Sequence, residues 1–347
     1  MSIQTELFGK LPHNKSAYLY TIKNINGMFI KVSNYGALLT SLVVKNLQGQ
    51  YKDIVLGYDN LEDYFNNSPL FGAIVGRNIN RISNAQFEID GHIYNLIKNR
   101  GIHNIHSDKE HGFHKVLWKT TFLDENSISF SYFSPDQEQN FPGNLSVNVT
   151  YTLTNSNALI ISIRAISDKT TLINISNHNY FNLSGHDSGD ILNTELLINS
   201  NFFTPVDEYT IPTGEIRSVL KTPFDFTYSH KIKNDIFKNY SQLKIANGFD
   251  HNFVLNNPHI GLRKIAQAKN SNEGISMDVY SDSIGLQFYT GNNLSKIKGK
   301  NNVIYDKYSG FCLEPQYFPN SINTDNFEKP IFNPNEEFKT TVIYQFT

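Results

Sequence analysis

The sequence predicts an all-β protein: a large antiparallel β-sandwich with few short helices, organised as a single domain over residues 1–347. Three observations carry that expectation. Val147, Val149, Tyr151 and Leu153 alternate strictly with polar residues, and Leu159 to Ile166 alternates as well, the period of a half-buried strand. Around twenty short β-branched or aromatic runs are separated by turn residues, with no linker, repeat or composition break. No βαβ alternation, GxGxxG or P-loop interrupts them.

Taken in order, Tyr18 to Thr21, Phe29 to Ser33 and Leu38 to Lys45 are strand-like, with turns at Asn26-Gly27, Asn34-Tyr35-Gly36 and Gln48-Gly49. Asp53 to Gly57 is a further strand-like piece, and Leu61 to Phe65 has room for a helical turn. Leu70 to Val75 is apolar and runs into Gly76-Arg77-Asn78. Gln86 to Ile97 reads as a hairpin hinged at Asp90-Gly91. Val116 to Phe122 and Ser127 to Phe133 precede the two alternating strands. Beyond the centre lie Thr194 to Ile198, Phe202 to Pro205 and a turn-rich span from Asp207 to Thr227. Lys231 to Tyr240 is the best helix candidate. The last predicted strands are Asn252 to Leu255, Ile275 to Tyr280, Gly285 to Gly291, Tyr308 to Glu314 and Lys339 to Phe346.

Composition bounds the function. Hydrophobic residues make up 39% and charged residues 18%, a globular balance. A formal charge of -2 favours neither nucleic acid nor an anionic membrane as partner. With one cysteine, Cys312, there is no intramolecular disulfide and no cysteine-based metal cluster. The first residues lack the apolar run of a signal peptide, and no 18-residue apolar segment follows, so a soluble cytoplasmic protein is expected, as monomer or homodimer.

Chemistry concentrates in four places. Ser176 to Gly185 reads SNHNYFNLSG; in an extended chain His178, Tyr180 and Asn182 share one face, which suits a polar, aromatic-walled pocket. Asn80-Arg81 follows the Gly76-Arg77 turn. The loop from Asn99 to Lys115 carries His103, His106, His111 and His114; its two His-x-x-His spacings hint at a metal, but no HExxH or cysteine partner supports one, and none is expected. Glu314 ends an apolar run and is followed by proline, so it is expected to be partly buried. It is then either an ion-pair partner for an arginine such as Arg81 or a general base matched by a histidine acid. Asp250 is a second carboxylate suited to accept hydrogen bonds from hydroxyls. No GxSxG elbow supports a hydrolase triad.

Together these clusters resemble the aldose 1-epimerase (galactose mutarotase) family, nearly end to end and in the family's order. The resemblance rests on NYGALLTSLVV (34–44), DIVLGYD, GAIVGRNINRI (72–82), GFHKVLW (112–118), FPG (141–143), NHNYFNLSG, FDHNFVL (249–255), GLQFYTGNNL (285–294) and LEPQYFPNSIN (313–323). It implies a galactose mutarotase-like supersandwich and interconversion of the α and β anomers of a free monosaccharide such as D-galactose or D-glucose, without cofactor. By motif position, Glu314 corresponds to the base at the C1 hydroxyl and His178 to the acid at the ring oxygen. Asn80, Arg81, His106, Asp250 and Gln287 correspond to residues that hold the sugar, and Tyr180 lies in the same site. A histidine with an ordinary pKa of about 6.5 then needs a neighbouring carboxylate to stay protonated at neutral pH.

One departure bears on the site. Where the family has His-Gly-Gly, this chain has His106-Ser107-Asp108, which leaves His103 and His111 as substitutes for His106. Two other readings remain: a sugar-binding sandwich without catalysis, and a glycoside-processing enzyme using Asp250 and Glu314 as its carboxylate pair. A hexose-6-phosphate epimerase would carry a more basic pocket.

Overall fold

The computed structural model describes residues 3–347. Its scaffold is three antiparallel sheets. The first runs Gln4–Lys10, Ser16–Lys23, Phe29–Ser33, Leu38–Lys45 and Tyr51–Asp53 in simple up-and-down order. The largest has nine strands, from Lys119–Leu123 through Ser127–Ser134, Leu145–Leu153 and Ala158–Ser167 to the C-terminal Glu337–Phe346, then Ile275–Ser281, Arg263–Asn270, Glu195–Ile198 and His230–Lys231. The third runs Arg217–Ser218, Phe202–Thr204, Asp250–Val254, Gly285–Tyr289 and Cys312–Gln316. Among the described residues there are two α-helices, Leu61–Phe65 and Ser241–Ala246, and no helix is long and apolar enough to cross a membrane.

The alternating sequence does what its period requires. Along Leu145–Leu153 every second residue is buried, from Leu145 to Leu153, and Ala158–Ser167 pairs with it across nine positions. Their inner faces meet the first and third sheets in one apolar core that includes Trp118, Tyr151, Phe181, Phe288 and Tyr344. Polar tips inside it are satisfied: the Tyr151 hydroxyl donates 2.6 Å to the Ala37 carbonyl, and Asn177 donates 2.8 Å to the Tyr344 hydroxyl. The second bond ties the nine-stranded sheet to the segment carrying His178.

Several expectations need correction. Lys231 to Tyr240 is not a helix: it contains a single 3-10 turn, Ile232–Asn234, and the helix begins at Ser241. Buried Ile232 and Ile236 gave the helical spacing, but His230–Lys231 pairs with the sheet, and Asp235 draws His230 Nε2 (2.5 Å) and Lys238 Nζ (2.5 Å) into a compact turn. Several strands are additional, Gln4–Lys10 and Arg263–Asn270 the longest among them. Gln4–Lys10 is solvent-exposed over most of its length and so has no hydrophobic period to read. Arg263–Asn270 buries only Ile265, Ala266, Ala268 and Asn270 and carries a bulge at Lys264/Ala266, which breaks its alternation.

Candidate active site

The floor of the site is the third sheet. Asn252, Gln287 and Glu314 stand directly opposite one another across three strands, and Asp250, Tyr289 and Cys312 form the next row on the same face. Because side chains alternate, the sheet sends the acid, the amides and the tyrosine upward together. The short pairing of Ser176–His178 with Ala73–Val75 brings His178 over this row. Its Nε2 lies 3.6 Å from Glu314 Oε1, with the two side chains 6% and 2% exposed.

The remaining walls are loop residues with unusual backbone. Asn80 and His106 both adopt left-handed φ, 66° and 55°. The two residues clasp each other: the His106 N–H donates 2.9 Å to the Asn80 carbonyl, and the Asn80 N–H donates 3.2 Å to His106 Nδ1. That second bond leaves the proton of neutral His106 on Nε2. The ring meets His178 edge-on at 5.2 Å, while Tyr180 stacks on His178 at 5.1 Å. Arg81, from the Arg81–Ile82 pairing with Asn104–Ile105, donates 2.7 Å to Asp250 Oδ2 and 3.1 Å to Asn80 Oδ1. Gln287 Nε2 completes the brace, 2.6 Å from Asp250 Oδ1.

All eight residues singled out in the sequence, Asn80, Arg81, His106, His178, Tyr180, Asp250, Gln287 and Glu314, line one cavity of about 230 Å³. Tyr289, Leu70 and Asn293 line it too and were not anticipated. Tyr289 shares parity with Gln287 on one strand, a signal sufficient to find it. Asn182 does not reach the cavity: the chain leaves strand geometry after His178, and the Asn182 amide instead donates to the Gly189 (3.0 Å) and Ser309 (3.1 Å) carbonyls. A second cavity of about 280 Å³, behind Pro315 and Tyr317, is lined by the exposed His259–Glu328 pair together with Asp282 and Lys339.

The histidine loop resolves residue by residue. His106 lines the cavity; His103 Nδ1 accepts from the Asn84 N–H and its ring packs on Tyr209, away from the site. The His111 side chain is 76% exposed and rests on Asp108 at 3.3 Å. Ser107 and Asp108, in place of two glycines, fasten the loop themselves: Ser107 Oγ bridges the Asn78 backbone, and Asp108 Oδ1 accepts from the Glu110 and His111 N–H groups. Among the described residues the loop histidines do not converge as metal ligands. Nearby Arg77, fully buried, is structural; its guanidinium donates to Ser134 Oγ and to the Ser134, Pro135 and Pro142 carbonyls, all at 2.9 Å.

Burial dominates the electrostatics. It pushes the Glu314 carboxyl well above its ordinary value, Asp250 adding to the effect and Arg81 opposing it. It lowers His178 to about 4 and His106 well below the imidazole range, His178 and Arg81 adding to the latter. Desolvation is the largest cause of the lowered His178 imidazole in the free site, and Asp250 opposes it. Burial would also raise Asp250, but the Arg81 charge and hydrogen bond, with Gln287, hold it below the usual carboxylate range. Arg81 thus pairs with Asp250, not with Glu314. One carboxylate is fixed and ionised; the other is poised to exchange a proton with an imidazole. Glu314 Oε2 and Gln287 Oε1 are buried and have no hydrogen-bond partner in the protein.

The sandwich thus gathers a buried carboxyl–imidazole couple, an ion-paired carboxylate and several side-chain amides around one cavity. The family model of aldose 1-epimerases matches residues 18–345. The chain is 39% identical to the galactose mutarotase of Bos taurus, with 100% of this chain and 99% of that protein covered, and 33% identical to the aldose 1-epimerase of Escherichia coli (strain K12), with 96% of each covered. Among solved structures it is similar to an aldose epimerase homologue from C. elegans (TM-score 0.89, 27% identity, 95% of this chain and 99% of that one). It is also similar to the galactose 1-epimerase of Lactobacillus acidophilus NCFM (TM-score 0.87, 29% identity, 100% and 98%). The chain belongs to the aldose 1-epimerase family and is an isomerase.

Proposed function

We propose that this enzyme interconverts the α and β anomers of free aldoses, D-galactose and D-glucose first among them, with Glu314 as base and His178 as acid. The observation that carries the reading is the Glu314–His178 couple, 3.6 Å apart at the floor of a hydroxyl-binding cavity. In the reactive form Glu314 is ionised and His178 protonated. Glu314 takes the proton of the C1 hydroxyl while His178 gives one to the ring oxygen; the C1–O5 bond breaks and C1 becomes an aldehyde. Rotation about C1–C2 presents the other carbonyl face, and the reverse transfers close the ring as the other anomer.

Burial shifts the balance between the charged and neutral forms of the pair within this cycle without favouring either anomer. Ring opening converts the charged pair into a carboxyl and a neutral imidazole, the form that desolvation favours, so the open-chain complex is stabilised relative to the same pair in water. Asp250, clamped by Arg81 and Gln287, stays ionised and accepts from sugar hydroxyls; Asn80 and the Nε2–H of His106 supply donors, and Tyr180 walls the ring. Concerted acid–base help of this kind contributes about 10²–10⁴-fold. A glycoside-processing role for Asp250 and Glu314 fits less well, because Asp250 is committed to its ion pair with Arg81. Soluble cytoplasmic sugar metabolism, by a monomer or homodimer, is the setting this activity suits. Polarimetry of freshly dissolved α-D-galactose and α-D-glucose tests the reading: the enzyme hastens the approach to the equilibrium rotation, and a folded preparation with no effect on either sugar refutes it.

A further inference from the structure

Beside the proposed proton-transferring pair lies one side chain that those transfers do not use, Cys312, fully buried beneath the cavity floor. Cys312 stands two residues before Glu314 on one strand, so both side chains leave the same face, and its sulfur lies 3.7 Å from His178 Nδ1. One ring nitrogen of His178, Cys312 Sγ and one Glu314 oxygen all lie within 4.8 Å of one another. The three residues are 5%, 0% and 2% exposed, and Glu314 Oε2 has no hydrogen-bond partner. Among the described residues no other group of histidine, cysteine and carboxylate side chains converges in this way.

An imidazole nitrogen, a thiolate and a carboxylate oxygen are the ligand types of a tetrahedral zinc ion. Bonds of about 2.0–2.3 Å to the metal separate neighbouring ligand atoms by roughly 3.3–3.8 Å. The nitrogen–sulfur separation of 3.7 Å already falls in that range. Glu314 Oε1 now faces the other ring nitrogen, Nε2, at 3.6 Å, so the carboxylate has to swing toward the Nδ1 side and close by about 1 Å, which side-chain rotation supplies. We propose that His178, Cys312 and Glu314 bind a thiophilic divalent cation, Zn²⁺ or Cd²⁺, which inhibits the enzyme by occupying the place of the sugar's anomeric centre. The fourth coordination position opens toward the cavity and takes a water molecule or a sugar hydroxyl.

Binding is also a proton exchange. A thiol and a carboxyl that bind the cation give up to solvent any proton they carry as it enters, and nothing is oxidised or reduced. Affinity therefore strengthens as pH rises. The inhibition rests on the acid–base roles proposed for His178 and Glu314; the cation site does not.

The test titrates metal-free protein with Cd²⁺ and Zn²⁺ while reading the thiolate-to-cadmium charge-transfer absorption and, separately, the anomerisation rate. The expected result is one cadmium per chain with a thiolate band, inhibition reversed by EDTA, and protection by saturating galactose. Cys312→Ser and Cys312→Ala, each compared with its own metal-free rate, raise the half-inhibitory concentration at least ~10-fold, the smallest cost of losing even an outer-shell partner. Using both keeps one informative if the other misfolds. Absence of the band, or undiminished inhibition in both variants, overturns the site. A band that forms while turnover is untouched upholds the site and overturns the roles given to His178 and Glu314.

Discussion

Glu314→Gln separates chemistry from folding at a single position. The amide keeps the shape of the side chain but cannot ionise. If Glu314 is the base, turnover falls by about 10²–10⁴-fold, or roughly 3–5 kcal/mol in barrier at ~1.4 kcal/mol per decade. Stability moves the other way. Burial raises the folded pKa of Glu314 above its unfolded value, so the group's stabilising contribution is present at low pH and is lost as pH rises through the folded pKa. At pH 8 the wild-type fold holds a carboxyl under strong pressure against ionisation, 2% exposed and with Oε2 unpaired; each pKa unit of that shift costs about 1.4 kcal/mol once pH has passed the folded value. The variant is expected to match or exceed wild-type stability at pH 8, with the advantage vanishing toward pH ~4.5. Parallel thermal melts from pH 4.5 to 8 and polarimetric rates read both effects. A variant that turns over near the wild-type rate, or that melts well below wild type at pH 8, refutes the reasoning.

Three further outcomes follow. Arg81→Met strands the Asp250 carboxylate, now 2.7 Å from its partner and almost buried; loss of one half of such a pair costs about 3–5 kcal/mol, and urea unfolding should reveal it together with a raised KM. Buried His114 and His251 have pKa values lowered to about 4 and about 3, so the folded state refuses protons that the unfolded chain accepts below about 6.5. Stability is therefore full above pH ~6.5 and declines as pH falls, by roughly 3 kcal/mol per histidine at pH 4; a stability–pH profile flat across this window contradicts their burial as neutral rings. In the histidine loop, His106→Ala should cost most of the turnover and His111→Ala almost none, because only His106 lines the cavity; equal effects in steady-state rates would reject that distinction.

How far the sequence reaches is seen best at particular elements. The alternation from Val147 to Leu153 is legible because one face of that strand is core and the other solvent, and the Asp90-Gly91 hairpin because its turn chemistry is local. Gln4–Lys10 is invisible for the opposite reason: an exposed edge strand has no burial to write into its pattern. The site was readable where strand parity holds. His178 and Tyr180 face one cavity as an extended chain predicts, and Asn182 turns away because the strand ends first. What the sequence could not hold is the partner choice among charges. The sequence offers Glu314 as a partner for Arg81 and Asp250 as an acceptor for hydroxyls, whereas Arg81 pairs with Asp250. Only the register that sets Gln287 beside Asp250, and the loop that delivers Arg81 to it, leaves Glu314 without an arginine partner and its carboxyl pushed upward by burial. How far burial lowers the His178 imidazole is hidden on the same ground, since depth of burial is a property of the assembled sheets.

The most direct test of the central claim is exchange NMR on D-galactose already at anomeric equilibrium, where no net reaction occurs and only interconversion is seen. With wild-type protein, magnetisation should pass between the α and β anomeric protons at a rate proportional to enzyme concentration, and it should fall to the uncatalysed level with Glu314→Gln and with His178→Asn. Exchange that persists in both variants would contradict the assignment of the Glu314–His178 couple as the proton-transferring pair.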